Sequence, residues 1–455
     1  GIDVNQLSKA LDFHYGGDKP AIWFDEETYG RDVLVPGFFM YSRNLEALDT
    51  IDQFPISEAG RTALKQFYAS NKNVLEGMDA SEIHHVLHKT SYTTFLSEYA
   101  GLPEEVVELF IKAMDGYWGV QTYSLSAAEA MQGWLPGAHL LGDAAAQFAG
   151  AETSEDVAMF PDGNATIARL LVQALIPSVA PDVNAENIAL AKFDYGQLDR
   201  SEAYIRLRLG STVVNTANTG NGVDVTYVRD GVTTRLRSRH CVLACYHAII
   251  PHLCPELPEV QKEAMRYQVK HPMLLTNVLV RNSEALDRLG ISGAYCPGRM
   301  HAKVFKIAGV NTAGYKFEEE ESEAVPLMFW GMMAPPNREV SIHDQLREAR
   351  RVLLELSFAD FEREVRTVLD GILGPAGFDA ATDILAITVN RWPHGYSYGY
   401  LDLWDPEWEA GKAPHEIARQ PIGNITIANS DAAAAAYTQA AIEEALRAVA
   451  ELGNI

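Results

Sequence analysis

Asn390-Arg391-Trp392-Pro393-His394-Gly395-Tyr396-Ser397-Tyr398 and, one loop later, Gly423-Asn424-Ile425-Thr426-Ile427-Ala428-Asn429-Ser430-Asp431 decide how this chain is read. The second run spells a short buried strand followed by a turn of small polar residues. It opens into Tyr437-Thr438-Gln439-Ala440-Ala441-Ile442 and a helix of small residues ending near Leu452. The alanines from Ala432 to Ala436 let backbone come close to whatever lies before that helix. A helix N-terminus offers free N–H groups and the positive end of a dipole, which suits an electron-rich, partly anionic group.

Working upstream, the punctuation separates several regions. Residues 1–50 carry loop signals (Pro20, Gly30, Pro36-Gly37) and paired aromatics, Trp23-Phe24 and Phe38-Phe39. From about Ser57 to Trp134 apolar positions recur three and four apart, as in Ala63, Leu64, Phe67, Tyr68 and Val106, Val107, Phe110, Ile111, which predicts helices. Asp79 or Ser81 is placed to cap the helix carrying Ile83, Val86 and Leu87. Phe160-Pro161-Asp162-Gly163-Asn164 is a turn feeding a helix from about Ala165 to Leu175. Alternation in Tyr204–Leu209, Val223–Val228 and Cys241–Cys245 predicts a meander, with Gly220-Asn221-Gly222 as a hairpin turn. Beyond Pro251 a second lobe is expected, with strands at Leu274–Val280 and Val325–Met332 bracketing the acidic surface run Glu318 to Glu321. A long helix from about Ile342 to Leu373 and a last strand, Ile384–Asn390, complete it.

Net charge is −24, from 61 acidic against 37 basic residues, a field that repels nucleic acid and concentrates cations. That balance fits a polycationic substrate as well as plain solubility. No stretch approaches the roughly 18 apolar residues that span a bilayer. Four cysteines are too few for a disulfide scaffold. Cys241, Cys245, His247, His252 and Cys254 lie close in sequence, but the first two flank Val-Leu-Ala in a buried strand, where cysteine behaves as a small hydrophobe. His84 and His88 stand one helical turn apart without the glutamate of His-Glu-x-x-His, which reads as a solvated pair rather than a metal site.

The order of aromatic strand, Gly-Asn-Ile strand, small turn and Ala-Ala-Ile helix resembles the C-terminal signature of FAD-dependent amine oxidoreductases. Its wording is most similar to bacterial spermidine dehydrogenase-like flavoproteins. The similarity extends to Phe160–Pro177, Val242–Pro258 and Val269–Val278, in that order. The resemblance implies a mixed α/β (α+β), two-lobed fold with an FAD-binding lobe, a substrate lobe and a helical region. Its implied division is 1–50 as a connecting segment near the cofactor, 51–150 as the helical part of the substrate domain and 151–250 as FAD-binding. Residues 251–390 then return to the substrate domain and 391–455 form the C-terminal FAD-binding part.

FAD is the implied cofactor, and hydride transfer from a polyamine or related amine the implied reaction. A flavin's pyrimidine edge is the electron-rich group that the turn and helix would meet, through Asn429, Ser430, Asp431, Tyr437 and Thr438. By the same resemblance Gly163 lies near the junction of cofactor and substrate, though an ordinary turn explains it equally, and Val213 contacts the adenine. Lys270 matches the lysine that in many relatives holds a water at the flavin; read alone, it is equally a surface strand start. Trp392, Tyr396, Tyr398 and Tyr400 offer an aromatic wall for an alkylamine. His394, the one side chain of that run that titrates near neutrality, is either a proton acceptor or a structural histidine. The family's Gly-x-Gly-x-x-Gly turn is not in these residues, which predicts a companion chain or fragment carrying it. Other readings are an amino-acid or different substrate oxidase on the same scaffold, and a non-catalytic subunit.

Overall fold

Near the start of the chain, β-branched and aromatic residues suited to a pleated, half-buried surface form Lys19–Phe24 (β1) and Val33–Pro36 (β2), paired as a hairpin. The structure, a computed structural model, describes residues 5, 7, 9, 11–12, 18–41, 43, 45–150, 159–307, 309–316 and 324–453; the run Glu318 to Glu321 lies outside them. Helices follow as the periodicity predicts: Glu58–Ala69 (α1) and Ala80–Lys89 (α2). Asp79, not Ser81, caps α2, in a capping box completed by Glu82. The one-turn helix Asp115–Trp118 (α3) stops at Gly119, whose φ of 66° few other residues adopt. Ala165–Leu175 (α4) is the helix expected after the Gly163 turn.

Thr212–Thr219 (β3), Gly222–Arg229 (β4) and Val232–Ser238 (β5) form an antiparallel three-stranded sheet, its first hairpin turning at Gly220-Asn221. The strand expected over Tyr204–Leu209 is absent. Arg206 and Arg208 both bond Asp199, as does Arg229 of β4, and the Leu207 amide donates to the Leu198 carbonyl at 2.8 Å, so the segment is tied to 198–199 rather than into a strand ladder. Cys241–Leu243 (β6) leads to His271–Val280 (β7), Ile291–Tyr295 (β8), Lys303–Lys306 (β9) and Val325–Gly331 (β10). The long helix expected over Ile342–Leu373 is two, Ile342–Glu355 (α5) and Phe358–Leu373 (α6). Ser357, in a capping box with Asp360, starts a new helix after Leu356 turns extended, at ψ 137°. Ile384–Tyr396 (β11), Ile425–Ile427 (β12) and Thr438–Leu452 (α7) end the chain.

The large sheet has seven strands in the order β11-β7-β10-β9-β8-β1-β2, all neighbours antiparallel except β1 and β8. Residues 19–36, expected to connect, therefore close one edge of it. Val365, Val368, Leu369 and Ile372 of α6 pack on one of its faces, around Trp23 and Phe329. The helices between Leu64 and Phe148 build the largest core, which also takes in Tyr398 and Leu401. β12 and β6 pair in parallel as a separate two-stranded sheet with its own core around Ile250 and Met265. The head of β7 and the turn after β12 meet between these two sheets, at Lys270 and Asp431.

Candidate active site

Lys270 lies just before β7 and has 4% of its side chain exposed; its Nζ is 2.7 Å from Oδ1 of Asp431, itself 2% exposed. Nζ also reaches Ser397 Oγ at 3.3 Å and lies 4.6 Å from the centre of the Tyr246 ring. Ser397 and Ser430 share a hydrogen bond of 2.7 Å. The His247 amide donates to the second oxygen of Asp431 at 3.0 Å. Gln268 donates to the Asp431 carbonyl at 2.7 Å and bonds His247 Nδ1 at 2.7 Å, while His247 Nε2 is buried with no hydrogen-bond partner among the described residues. Burial pushes the Asp431 carboxyl up, but the Lys270 charge and hydrogen bond outweigh it and hold the group below the ordinary carboxylate range.

Local chain geometry explains how residues so far apart in sequence converge. Asn429 takes the strained φ of 97°, and its side chain accepts from the Asp431 amide at 3.2 Å, which turns the chain sharply off β12. Arg350 of α5 donates to the Lys270 carbonyl at 2.8 Å and the Pro393 carbonyl at 2.6 Å, clamping the head of β7 to the end of β11. A side chain at Gly395 would meet the His271 carbonyl at 2.9 Å, so only glycine lets the two strands approach there.

The expected aromatic wall divides. His394 stands 6.1 Å from the Tyr246 ring; burial, then Arg350 and Lys270, lower its pKa and favour the neutral imidazole. Tyr396 donates to the Gly116 carbonyl at 3.1 Å, and Tyr437 and Tyr117 are its electrostatic neighbours. Trp392 is 47% exposed and pairs with Met273 where the register slips before Tyr396. Tyr398 and Tyr400 do not join the wall. Past the bulge they turn into the interior, Tyr398 donating to Asp405 at 2.8 Å and Tyr400 bonding His415 at 2.8 Å.

Among the residues expected to hold a cofactor, Gly163 has a φ of +65° with open space around it. Its neighbour Asn164 donates to Thr438 Oγ1 at 2.8 Å, bringing the turn before α4 to the start of α7. Neither Asn164 nor Tyr437 makes a side-chain cap bond; in α4 the Thr166 and Ile167 amides instead bond the Gly163 and Asn164 carbonyls at 3.1 Å each. Val213 stands on β3 opposite Tyr227, in the sheet that Asn218 ties to Asn424 by a 2.8 Å bond. His84 and His88 stack at 4.1 Å, and His88 bonds Asp402 at 2.6 Å.

Sequence reasoning missed Tyr246, Gln268 and Ser397 around the lysine, and the group on and beside α3. In that group Lys303 Nζ lies between the rings of Tyr117 (4.4 Å) and Tyr41 (4.6 Å), with Trp330 at 6.0 Å. The signal was Asp115-Gly116-Tyr117-Trp118-Gly119, aromatics set between glycines: a side chain at Gly116 would strike Trp330 at 2.2 Å. Burial pushes the Asp115 carboxyl up to about 8, against the pull of Lys112 and Lys303. The group therefore takes up a proton on folding at neutral pH. That uptake costs nothing below about pH 4 and about 1.4 kcal/mol per pH unit from there to about pH 8. Asp115→Asn is expected to raise stability by several kcal/mol more at pH 8 than at pH 4.5, read from denaturant melts; an equal change at both would count against a buried, protonated Asp115.

No protein-family model and no curated protein matches the chain. Its fold is similar to that of solved amine oxidases. Putrescine oxidase in its putrescine-bound wild-type form superposes with a TM-score of 0.52 at 13% identity, covering 99% of this chain and 85% of that one. Cyclohexylamine oxidase from Brevibacterium oxydans gives 0.52 at 13% identity, covering 98% and 82%.

Proposed function

We propose that this chain oxidises an amine with FAD as cofactor. FAD, when bound, would supply the acceptor for a hydride from the amine α-carbon, leaving an imine for water to hydrolyse. The observation that carries this reading is the buried Lys270–Asp431 pair, set between the His394–Tyr396 run and the Asn429–Asp431 turn on a fold shared with two amine oxidases.

The residues present fit such a cofactor. The start of α7, without a side-chain cap and joined by Thr438 to Asn164 of the turn before α4, suits an electron-rich, partly anionic molecule. Gly163, Val213, Asn429, Ser430, Asp431, Tyr437 and Thr438 would hold it. Neutral His394 takes the proton from the incoming ammonium, since only the free amine yields hydride. Lys270, fixed by Asp431 and Ser397, presents its amino group at the reacting end, while Tyr396 and Trp392 orient the substrate. The C-terminal runs contain no cysteine to form a thioether link to the flavin, and FAD held non-covalently is the expectation. Acid precipitation of the natively purified protein is expected to release the yellow colour into the supernatant; a coloured pellet would contradict this.

The finer reading, a polyamine substrate as in spermidine dehydrogenase-like proteins, draws support from the net charge of −24. An amino acid or another acceptor-bearing amine draws support from Lys303 instead. A companion supplying the glycine-rich turn fits two features: β6 and β12 pair only with each other among the described residues, and Ile442, Leu446 and Val449 of α7 are exposed along one stripe. Native mass spectrometry would reveal it as added mass; a lone 455-residue chain retaining FAD would exclude it.

A further inference from the structure

Lys303 and Asp115 are buried polar groups that the chemistry at Lys270 does not use. The Lys303 ammonium carries three N–H donors, and its nitrogen is buried with no hydrogen-bond partner among the described residues. Tyr41, Tyr117 and Trp330 give it only ring faces, which attract a cation but accept little. Both carboxyl oxygens of Asp115 are equally buried and equally without partners, and Asp115 and Lys303 do not close to an ion pair. The rings are held in place, Tyr41 through its bond to the Ala113 carbonyl and Tyr117 edge-on to Trp330 at 5.7 Å. Buried polar groups left unpaired within a fixed frame are costly for a fold that gains nothing from them.

A hydrogen bond links the cluster to the aromatic run beside Lys270. Tyr396 bonds the carbonyl of Gly116, between Asp115 and Tyr117, so α3 joins the Lys303 cage to the Lys270 end. Tyr117 is 48% exposed, and its ring forms the outer wall of the cage.

We propose that Lys303 and Asp115 form the distal wall of the amine site and select substrates whose far end carries a carboxylate or carbonyl over diamines and polyamines. This rests on the amine-oxidation reading of the Lys270 cluster. The aromatic cage that would receive a second substrate ammonium is already filled by the Lys303 amino group, whose pKa burial lowers to about 7, so another cation there competes for the same ring faces and meets like charge whenever Lys303 is protonated. An acceptor oxygen meets donors instead: the Lys303 ammonium and, because burial keeps its proton on at neutral pH, the Asp115 hydroxyl. An arriving anion also favours the charged form of Lys303, which burial alone disfavours.

The test compares amines of equal reach on the natively purified protein: 4-aminobutanoate, 1,4-diaminobutane and butylamine. Separately, binding of butanoate and butylammonium is read by tryptophan fluorescence, since Trp330 lies beside Nζ. A charge-assisted bond gained or lost corresponds to at least about tenfold, so butanoate should bind that much tighter than butylammonium, and 4-aminobutanoate should exceed the diamine in kcat/KM by a similar factor. Both ratios should collapse in Lys303→Met and persist in Lys303→Arg, which keeps the charge and reports on folding. Equal butanoate binding in the natural protein and Lys303→Met, or a preference for the diamine, would overturn the proposal. Lys303-dependent butanoate binding without oxidation of any amine would uphold the distal wall and instead defeat the amine-oxidation reading.

Discussion

Asp431→Ala is expected to cost about 3–5 kcal/mol of folding stability at neutral pH, because it leaves the Lys270 ammonium buried without its counter-ion. The His247 amide loses its acceptor at the same time. The pH dependence has a definite sign. The Asp431 carboxyl is held below its unfolded value, so its contribution is complete above about pH 4 and is lost as pH falls through the folded value. Denaturant melts of the natural protein and Asp431→Ala should therefore differ most at pH 7 and converge in acid. A difference of under about 1 kcal/mol at pH 7 would mean that the pair is solvated rather than closed off from water.

The second large effect concerns rate. Lys270→Met combined with Asp431→Asn removes both charges together, which spares the fold the unpaired ion that either single change creates. This double variant is expected to slow flavin reduction by amines about 10²- to 10³-fold, the range for losing a positioned proton-handling group. Rapid mixing under anaerobic conditions measures the reduction step alone. A rate within about threefold of the natural protein would leave Lys270 a structural lysine and move the chemistry to His394.

Much of this site was legible residue by residue, and little of it as an arrangement. The helix Ala165–Leu175 and the hairpin around Gly220-Asn221 follow from local signals, because turn chemistry and periodicity act over a few residues. Ile342–Leu373 read as one helix because the apolar stripe continues across Leu356 and Phe361; the break depends on Ser357 capping the second helix, α6. Tyr204–Leu209 alternates like a strand, yet its arginines pair with Asp199 and its backbone bonds Leu198 instead of a neighbouring strand. Lys270 and Asp431 were each singled out, but their pairing across 161 residues is a product of the two sheets meeting. The glycine-flanked aromatics at 115–119 marked one side of the Lys303 cage, but its assembly was not legible, because Tyr41, Tyr117, Lys303 and Trp330 come from four separate stretches of chain with no spacing to connect them.

The central claim, that this fold holds FAD and lets an amine reduce it, is tested most directly by a visible spectrum of the natively purified protein under anaerobic conditions. A band near about 450 nm that bleaches on adding an amine and returns with an electron acceptor is the predicted result. A protein that binds no flavin, or a flavin band that no amine in the panel alters, would contradict it.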